Sequence, residues 1–237
     1  MYMNQEVKTA RIAGLWYLAI AIFYSFSMLY VDGAFIVSGD AEATVQNIQA
    51  SRVLFQLGFA SCLVGHICFL FLVNALYKLL SPVNVGLARL MVLLVIAGVA
   101  AAFINRLNQA AVIILLGGQN YLSAFSSAQI HALVMFFLDL FQHGEKMTGL
   151  FWGLWLLPLG LLVIKSGFIP KILAILLICT CFSYLTGVAV FFFFPHHYAV
   201  VFSLISPIGM VSEVSFILWL LIVGVKKPKS VQIRESH

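Results

Sequence analysis

Six long apolar runs decide what this chain of 237 residues can fold into. They lie near residues 11–32, 52–79, 87–116, 132–164, 169–194 and 199–225. Each is long enough to cross a hydrocarbon core of roughly 30 Å. A backbone in lipid must satisfy its own hydrogen bonds, so each run is expected to be a helix. No run alternates apolar and polar residues as a transmembrane barrel strand does. The second and fourth runs exceed one crossing, so their first turns are expected to project beyond the membrane or lie along its surface. The expected fold class is an all-α integral membrane bundle of six transmembrane helices, a single membrane domain over residues 1–237 with a short basic cytoplasmic tail at 226–237.

Composition supports lipid as the solvent. Charged residues make up 9% of the chain, against about 25% in a typical soluble domain. That is too little charge to cover a water-facing surface of this size. The net charge of +5 does not point to nucleic acid, because the basic residues sit at the ends of the apolar runs, where they orient a protein in a bilayer. Cys62, Cys68, Cys179 and Cys181 all lie within apolar segments and form neither a zinc knuckle nor a CxxC pair, so they read as small buried side chains. No cofactor is implied. The first run is as long as a full span and no small-residue cleavage site follows it, so it is expected as a retained helix and not a signal peptide.

Counting Lys and Arg at the ends of the runs gives an orientation. Lys8, Arg11, Lys78, Arg89, Lys165, Lys171, Lys226, Lys227, Lys229 and Arg234 fall on one side. Arg52 alone falls on the other, while Arg106 and Lys146 lie inside predicted spans. This alternation predicts both termini in the cytoplasm.

The connections carry helix punctuation. Pro82 and Pro170 are expected at or near first helical turns, and Gly117-Gly118 ends the third helix. Ser126-Ser127-Ala128-Gln129 is a capping box for the fourth, and the stretch from Ser38 to Glu42 plays a similar part before the second. Gly149 and Gly153 form a GxxxG pattern, which predicts a close helix contact either within the chain or in a homo-oligomer.

Several stretches then take on meaning together: Ala10-Arg11-Ile12-Ala13-Gly14-Leu15, Tyr121 to Ser126 leading to Phe137-Leu138-Asp139, Lys165-Ser166-Gly167-Phe168-Ile169-Pro170, and Glu213 ahead of Leu218-Trp219-Leu220-Leu221. In order and spacing, over about residues 8–226, the chain resembles the bacterial membrane family catalogued as domain of unknown function 4386. The resemblance implies a six-helix bacterial inner-membrane protein, and it brings no reaction, substrate or cofactor with it.

Ionisable groups at membrane depth cost several kcal/mol unless paired or hydrated, so they are the functional candidates. They are His66, Arg106, Asp139, His143, Glu145, Lys146 and Glu213. At 1.5 Å per residue, Glu213 and His66 sit about 20 Å and about 18 Å from the basic end, and Arg106 and Lys146 about 26 Å and about 28 Å. On the fourth helix Asp139, Gln142, His143 and Lys146 are spaced along one face. On the third, Asn105, Asn108 and Gln109 form another, with Arg106 flanking it. If the faces meet, His66, Asn105, Arg106, Gln109, Asp139, Gln142, His143, Lys146 and Glu213 line a polar pocket open to the outside, and Pro158 and Pro207 kink helices to widen it. Against this stands a simpler assignment, with the charges of the fourth helix in the headgroup region and Arg106 paired with Glu213.

The expected function is therefore binding or transport of a small molecule or ion through an outward-facing polar pocket, with the lipid bilayer as the one definite partner. A non-catalytic accessory protein that binds lipid or partner helices is the first alternative. A membrane-embedded metal-dependent hydrolase, with ligands drawn from His66, Asp139, His143 and Glu213, is the second. No catalytic motif supports that last reading, since HExxH and a nucleophile elbow are both missing.

Overall fold

The computed structural model describes residues 2–28, 33–37 and 39–225. The end of the first run at 29–32, Ser38, and the tail with Lys226, Lys227, Lys229 and Arg234 lie outside the described residues. Among the described residues the chain is helical, with no strand. Its helices are α1 (Tyr2–Ser25), α2 (Ala41–Ala50), α3 (Arg52–Leu80), α4 (Val85–Leu115), α5 (Ser127–Leu154), α6 (Leu156–Ser166), α7 (Lys171–Phe193) and α8 (Tyr198–Ile222). Among the described residues six segments are long and apolar enough to cross a membrane, and large apolar side chains such as Leu93, Ile104, Leu107 and Leu204 stand exposed along them. Exposed apolar surface on this scale suits lipid and not water.

The expected long runs are long in the structure. α3 has 29 residues, and the continuous segment from Ser127 to Ser166 has 40, about 44 Å and about 60 Å of helix. The longer one breaks at Trp155. Pro158 explains the break, because it has no N–H to give to the carbonyl of residue 154. Pro207 sits inside α8 without ending it.

Local chemistry sets most boundaries. The Gln129 amide N–H donates to Ser126 Oγ at 3.3 Å, and the Ser126 N–H donates to Gln129 Oε1 at 2.8 Å, which is the expected capping box of α5. The Ala43 N–H donates to Asp40 Oδ1 at 2.9 Å and starts α2. α4 is capped by Asn84, whose Oδ1 accepts from the Leu87 N–H at 2.9 Å, so Pro82 lies in the preceding turn and not in the helix. Gly118 and Gly167, at φ 70° and 69°, end α4 and α6 in the left-handed conformation. Arg52 reaches the end of α4, donating from Nη1 to the Leu116 carbonyl at 3.4 Å.

Contacts divide the chain into two compact units. The first comprises Met1–Leu18, Cys68–Val99 and Thr148–His237. Small residues let its helices close: a Cβ at Gly14 would press on Leu221, at Gly98 on Phe151 and Trp152, and at Gly160 on Ile178. Gly149 and Gly153 face Val188 and Tyr184 of α7, so the GxxxG contact is made within the chain. Phe69 stacks on Trp152 with centroids 5.2 Å apart, and Tyr17 meets Trp155 and Phe216 edge-on or tilted.

The second unit comprises Ala19–Ile67 and Ala100–Met147. Its apolar core gathers Phe35, Val45, Ile48, Phe55, Val112, Val134 and Leu138. Two of these, Val45 and Ile48, come from α2, which is thus packed down by its apolar side and is no loose loop. Thr44 ties the preceding chain to it, accepting from the Val37 N–H at 3.0 Å and donating to the Asp40 carbonyl at 2.8 Å.

Candidate functional site

The polar side chains of the second unit converge on Arg106. The residue is 2% exposed, which in a membrane helix demands partners. Its Nη1 donates to Gln109 Oε1 at 2.6 Å, one helical turn on. Its Nη2 donates to Cys62 Sγ at 3.0 Å and lies 3.7 Å from Glu145 Oε1. The guanidinium carbon sits 4.6 Å over the ring of Phe141. The Nε atom is buried and has no hydrogen-bond partner.

Asn105 ties α4 to α5. Its Nδ2 donates to the Phe141 carbonyl at 3.0 Å and to Glu145 Oε1 at 3.1 Å. Asn108 Nδ2 donates to the Asn105 carbonyl and to Asn105 Oδ1. Glu145 thereby receives a neutral donor on the same oxygen that faces Arg106. The local dielectric is low, so these interactions are stronger than at a protein surface and more demanding of complete partnering.

Cys62 joins His66 to the group. His66 Nδ1 lies 2.6 Å from the Cys62 carbonyl, and since a carbonyl only accepts, Nδ1 carries the proton. The ring is buried between Tyr24 and Phe103, at centroid distances of 5.2 and 5.6 Å. Gly65 makes room for Tyr24, because a Cβ there would stand 2.6 Å from the Tyr24 ring. His66 therefore has the surroundings of a core histidine.

Residues 12–224 match the family described as Domain of unknown function (DUF4386). The chain belongs to this family. No curated protein and no solved structure matches it. The matched range takes in every residue of the Arg106 cluster.

For this DUF4386 chain the structure revises the expected pocket. It brings His66, Asn105, Arg106 and Gln109 together with Cys62 and Glu145. It leaves Asp139, Gln142 and His143 exposed and Lys146 half-buried. The inward stripe of α5 runs through Val134, Leu138, Phe141, Glu145 and Thr148, each except Glu145 fully buried. That spacing of four, three, four and three residues is the helix's own apolar period. Asp139, Gln142, His143 and Lys146 share a face, but it is the neighbouring one. Glu145 falls on the stripe, and tracing the apolar period through the polar residues would have found it.

The simpler alternative paired Arg106 with Glu213. The carboxylate within ion-pair distance of Arg106 is that of Glu145. Glu213 belongs to the first unit, where it accepts from Tyr184 Oη at 3.4 Å. Among the described residues no three His, Cys, Asp or Glu side chains are grouped to hold a metal ion.

Nor does the cluster stand open at the end where residues 36–51 and 116–126 connect the helices. Phe55 lies seven residues from Cys62, Val112 six from Arg106, and Leu138 seven from Glu145, all toward that end. At the helical rise this places the apolar layer about 10 Å beyond the polar one. α2 packs into the same layer through Val45 and Ile48. A polar layer beneath an apolar one is an occluded arrangement.

Proposed function

We propose that this protein spans the bacterial cytoplasmic membrane six times, with both termini in the cytoplasm, and binds a small polar solute at Arg106. The observation that supports this best is the buried Arg106 Nε, an N–H with no acceptor among the described residues. Its ion pair at 3.7 Å is longer than the ~2.7–2.9 Å of a tight charge-assisted bond. A carboxylate or carbonyl oxygen offered along the Nε–Nη2 edge would complete the fork that guanidinium groups present to such ligands. Glu145 would then share Arg106 with the solute.

The orientation rests on the ten-to-one distribution of basic residues. With the termini inside, the apolar layer and α2 lie between the cluster and the exterior. Entry from outside then requires that layer to part. Single cysteines at Asp40 and Ser81 test the orientation. A membrane-impermeant maleimide applied to intact cells should label the first and not the second, and the reverse pattern rules the orientation out.

Binding is tested on purified protein in lipid nanodiscs with a panel of small carboxylates, amides and their reduced, acceptor-free analogues. At least one acceptor-bearing solute should raise the melting temperature of the wild type and leave Arg106→Gln unchanged. A folded wild type that no member of the panel stabilises counts against solute binding.

A second reading is a non-catalytic accessory protein, and the ties of Arg106 to Gln109, Cys62 and Glu145 favour it. There the Arg106–Glu145 pair fixes helix packing and nothing more. In that case an Arg106→Met/Glu145→Leu double variant keeps both stability and cellular function.

A further inference from the structure

Glu213 forms a separate polar group in the first unit, and the Arg106 reading makes no use of it. It lies on α8 nine residues before Ile222, about 14 Å of helix from that end, inside the span Pro195–Ile222. A carboxylate at such depth costs several kcal/mol without a compensating charge. Among the described residues no Lys, Arg or His forms an ion pair with it. The groups that face it are uncharged hydroxyls. Tyr184 of α7 donates from Oη at 3.4 Å. Tyr17 of α1 turns its hydroxyl toward the same carboxylate but makes no hydrogen bond of good geometry.

One further fact marks the place as unfinished. Tyr17 is 3% exposed and its hydroxyl oxygen is buried without a hydrogen-bond partner. Buried polar atoms are paired in most proteins, so an orphaned hydroxyl facing a carboxyl needs an explanation. The other titratable side chain nearby on α7 is Cys181, buried one turn before Tyr184. The remaining wall is aromatic, with Trp155 and Phe216 against the Tyr17 ring.

We propose that Glu213, with Tyr17 and Tyr184, binds one small monovalent cation, a proton or a sodium ion, within the membrane span. The charge argument is the same for both ions, because each cancels the single negative charge of the carboxylate. A sodium ion would draw on the carboxylate and the hydroxyl lone pairs, the oxygen donors that hard cations take. A proton would turn the carboxyl into a donor for one neighbouring hydroxyl oxygen. In both cases the Tyr17 hydroxyl can gain a partner and the charge within the span is cancelled. Either outcome leaves Arg106 untouched, so this site stands or falls independently of the solute reading.

Infrared difference spectroscopy of the whole protein in nanodiscs tests it, in sodium-free buffer and with sodium chloride against matched choline chloride. A proton site gives a protonated-carboxyl C=O band that is absent in Glu213→Gln and indifferent to sodium. A sodium site gives a carboxylate band and a melting temperature that both respond to sodium and not to choline. A carboxylate that stays ionised from mildly acidic to mildly alkaline pH, with no response to sodium, overturns the proposal. Tyr17→Phe guards against a variant that misfolds, since it keeps the carboxyl and removes one oxygen. It should weaken the apparent affinity for the bound ion about tenfold, and an unchanged affinity overturns the assignment of the hydroxyls to the site.

Discussion

The side-chain amide of Asn105 occupies the space that a Cβ on residue 144 would fill. Gly144 is therefore what lets α4 press its polar edge against the backbone of α5. The contact lets Asn105 Nδ2 reach both the Phe141 carbonyl and Glu145 Oε1. Glu145 is held in turn where it meets Arg106. A residue with no side chain thus sets the geometry of the most charged buried group in the second unit.

Gly144→Ala should accordingly destabilise the protein. Overpacking of this kind costs about 1–3 kcal/mol, and better helix propensity returns up to about 1 kcal/mol. The net effect expected in thermal unfolding of purified protein is a loss of about 1–2 kcal/mol. Adding Asn105→Ala, which empties the contested space, should recover part of it. A melting temperature equal to or above wild type in Gly144→Ala would contradict the close contact.

The Arg106–Glu145 pair predicts a non-additive series. Removing one member of a buried pair leaves the other charge uncompensated and costs about 3–5 kcal/mol. Arg106→Met and Glu145→Leu should each unfold at markedly lower temperature. The double variant should be more stable than either, because apolar side chains of similar volume replace a buried pair at little cost. If the two single losses simply add, the residues do not act as a pair.

Sequence made the helical architecture legible because a long apolar run announces itself by length and apolarity alone, and among the described residues six helices are long and apolar enough to cross a membrane. The capping box at Ser126–Gln129 was legible for a related reason: it is a local interaction three residues long. The polar cluster was legible only in part. Periodicity groups Asp139 with His143 and Lys146 on one face, but which face turns inward depends on what the other helices offer. The apolar stripe through Leu138 and Phe141 carries that information and selects Glu145. The role of Gly144 was not legible at all, since a glycine gives no sign of the neighbour that fills its place. The stretch from Ser38 to Glu42 signals a helix start, but only the shared core with Val112 and Leu138 shows α2 as a cover.

Asp139, Gln142 and His143 provide a negative control. All three are exposed, and substitutions at exposed positions away from special features usually change stability by no more than about 0.5 kcal/mol. Asp139→Asn, Gln142→Ala and His143→Ala should therefore leave thermal stability near wild type and leave any solute-induced stabilisation intact. Loss of that stabilisation in one of them would move the binding site from the Arg106 cluster to the outer face of α5.

Thr44→Val tests whether the segment over the apolar layer opens by itself. The side chain is fully buried, and its Oγ accepts from the Val37 N–H and donates to the Asp40 carbonyl. Valine keeps the shape but leaves the Val37 N–H without a partner, which costs about 1–3 kcal/mol. Stability is not uniform across a protein, and segments held by few contacts open below the global transition. Here the loss should appear as faster amide exchange at Val37 and along α2, with exchange in α4 and α5 unchanged. That result would make residues 39–51 a cover able to part from the helices beneath while the Arg106 cluster keeps its form. Uniformly faster exchange across all three elements would instead make the segment an inseparable part of the fold, and access to Arg106 from that end would require the helices themselves to move.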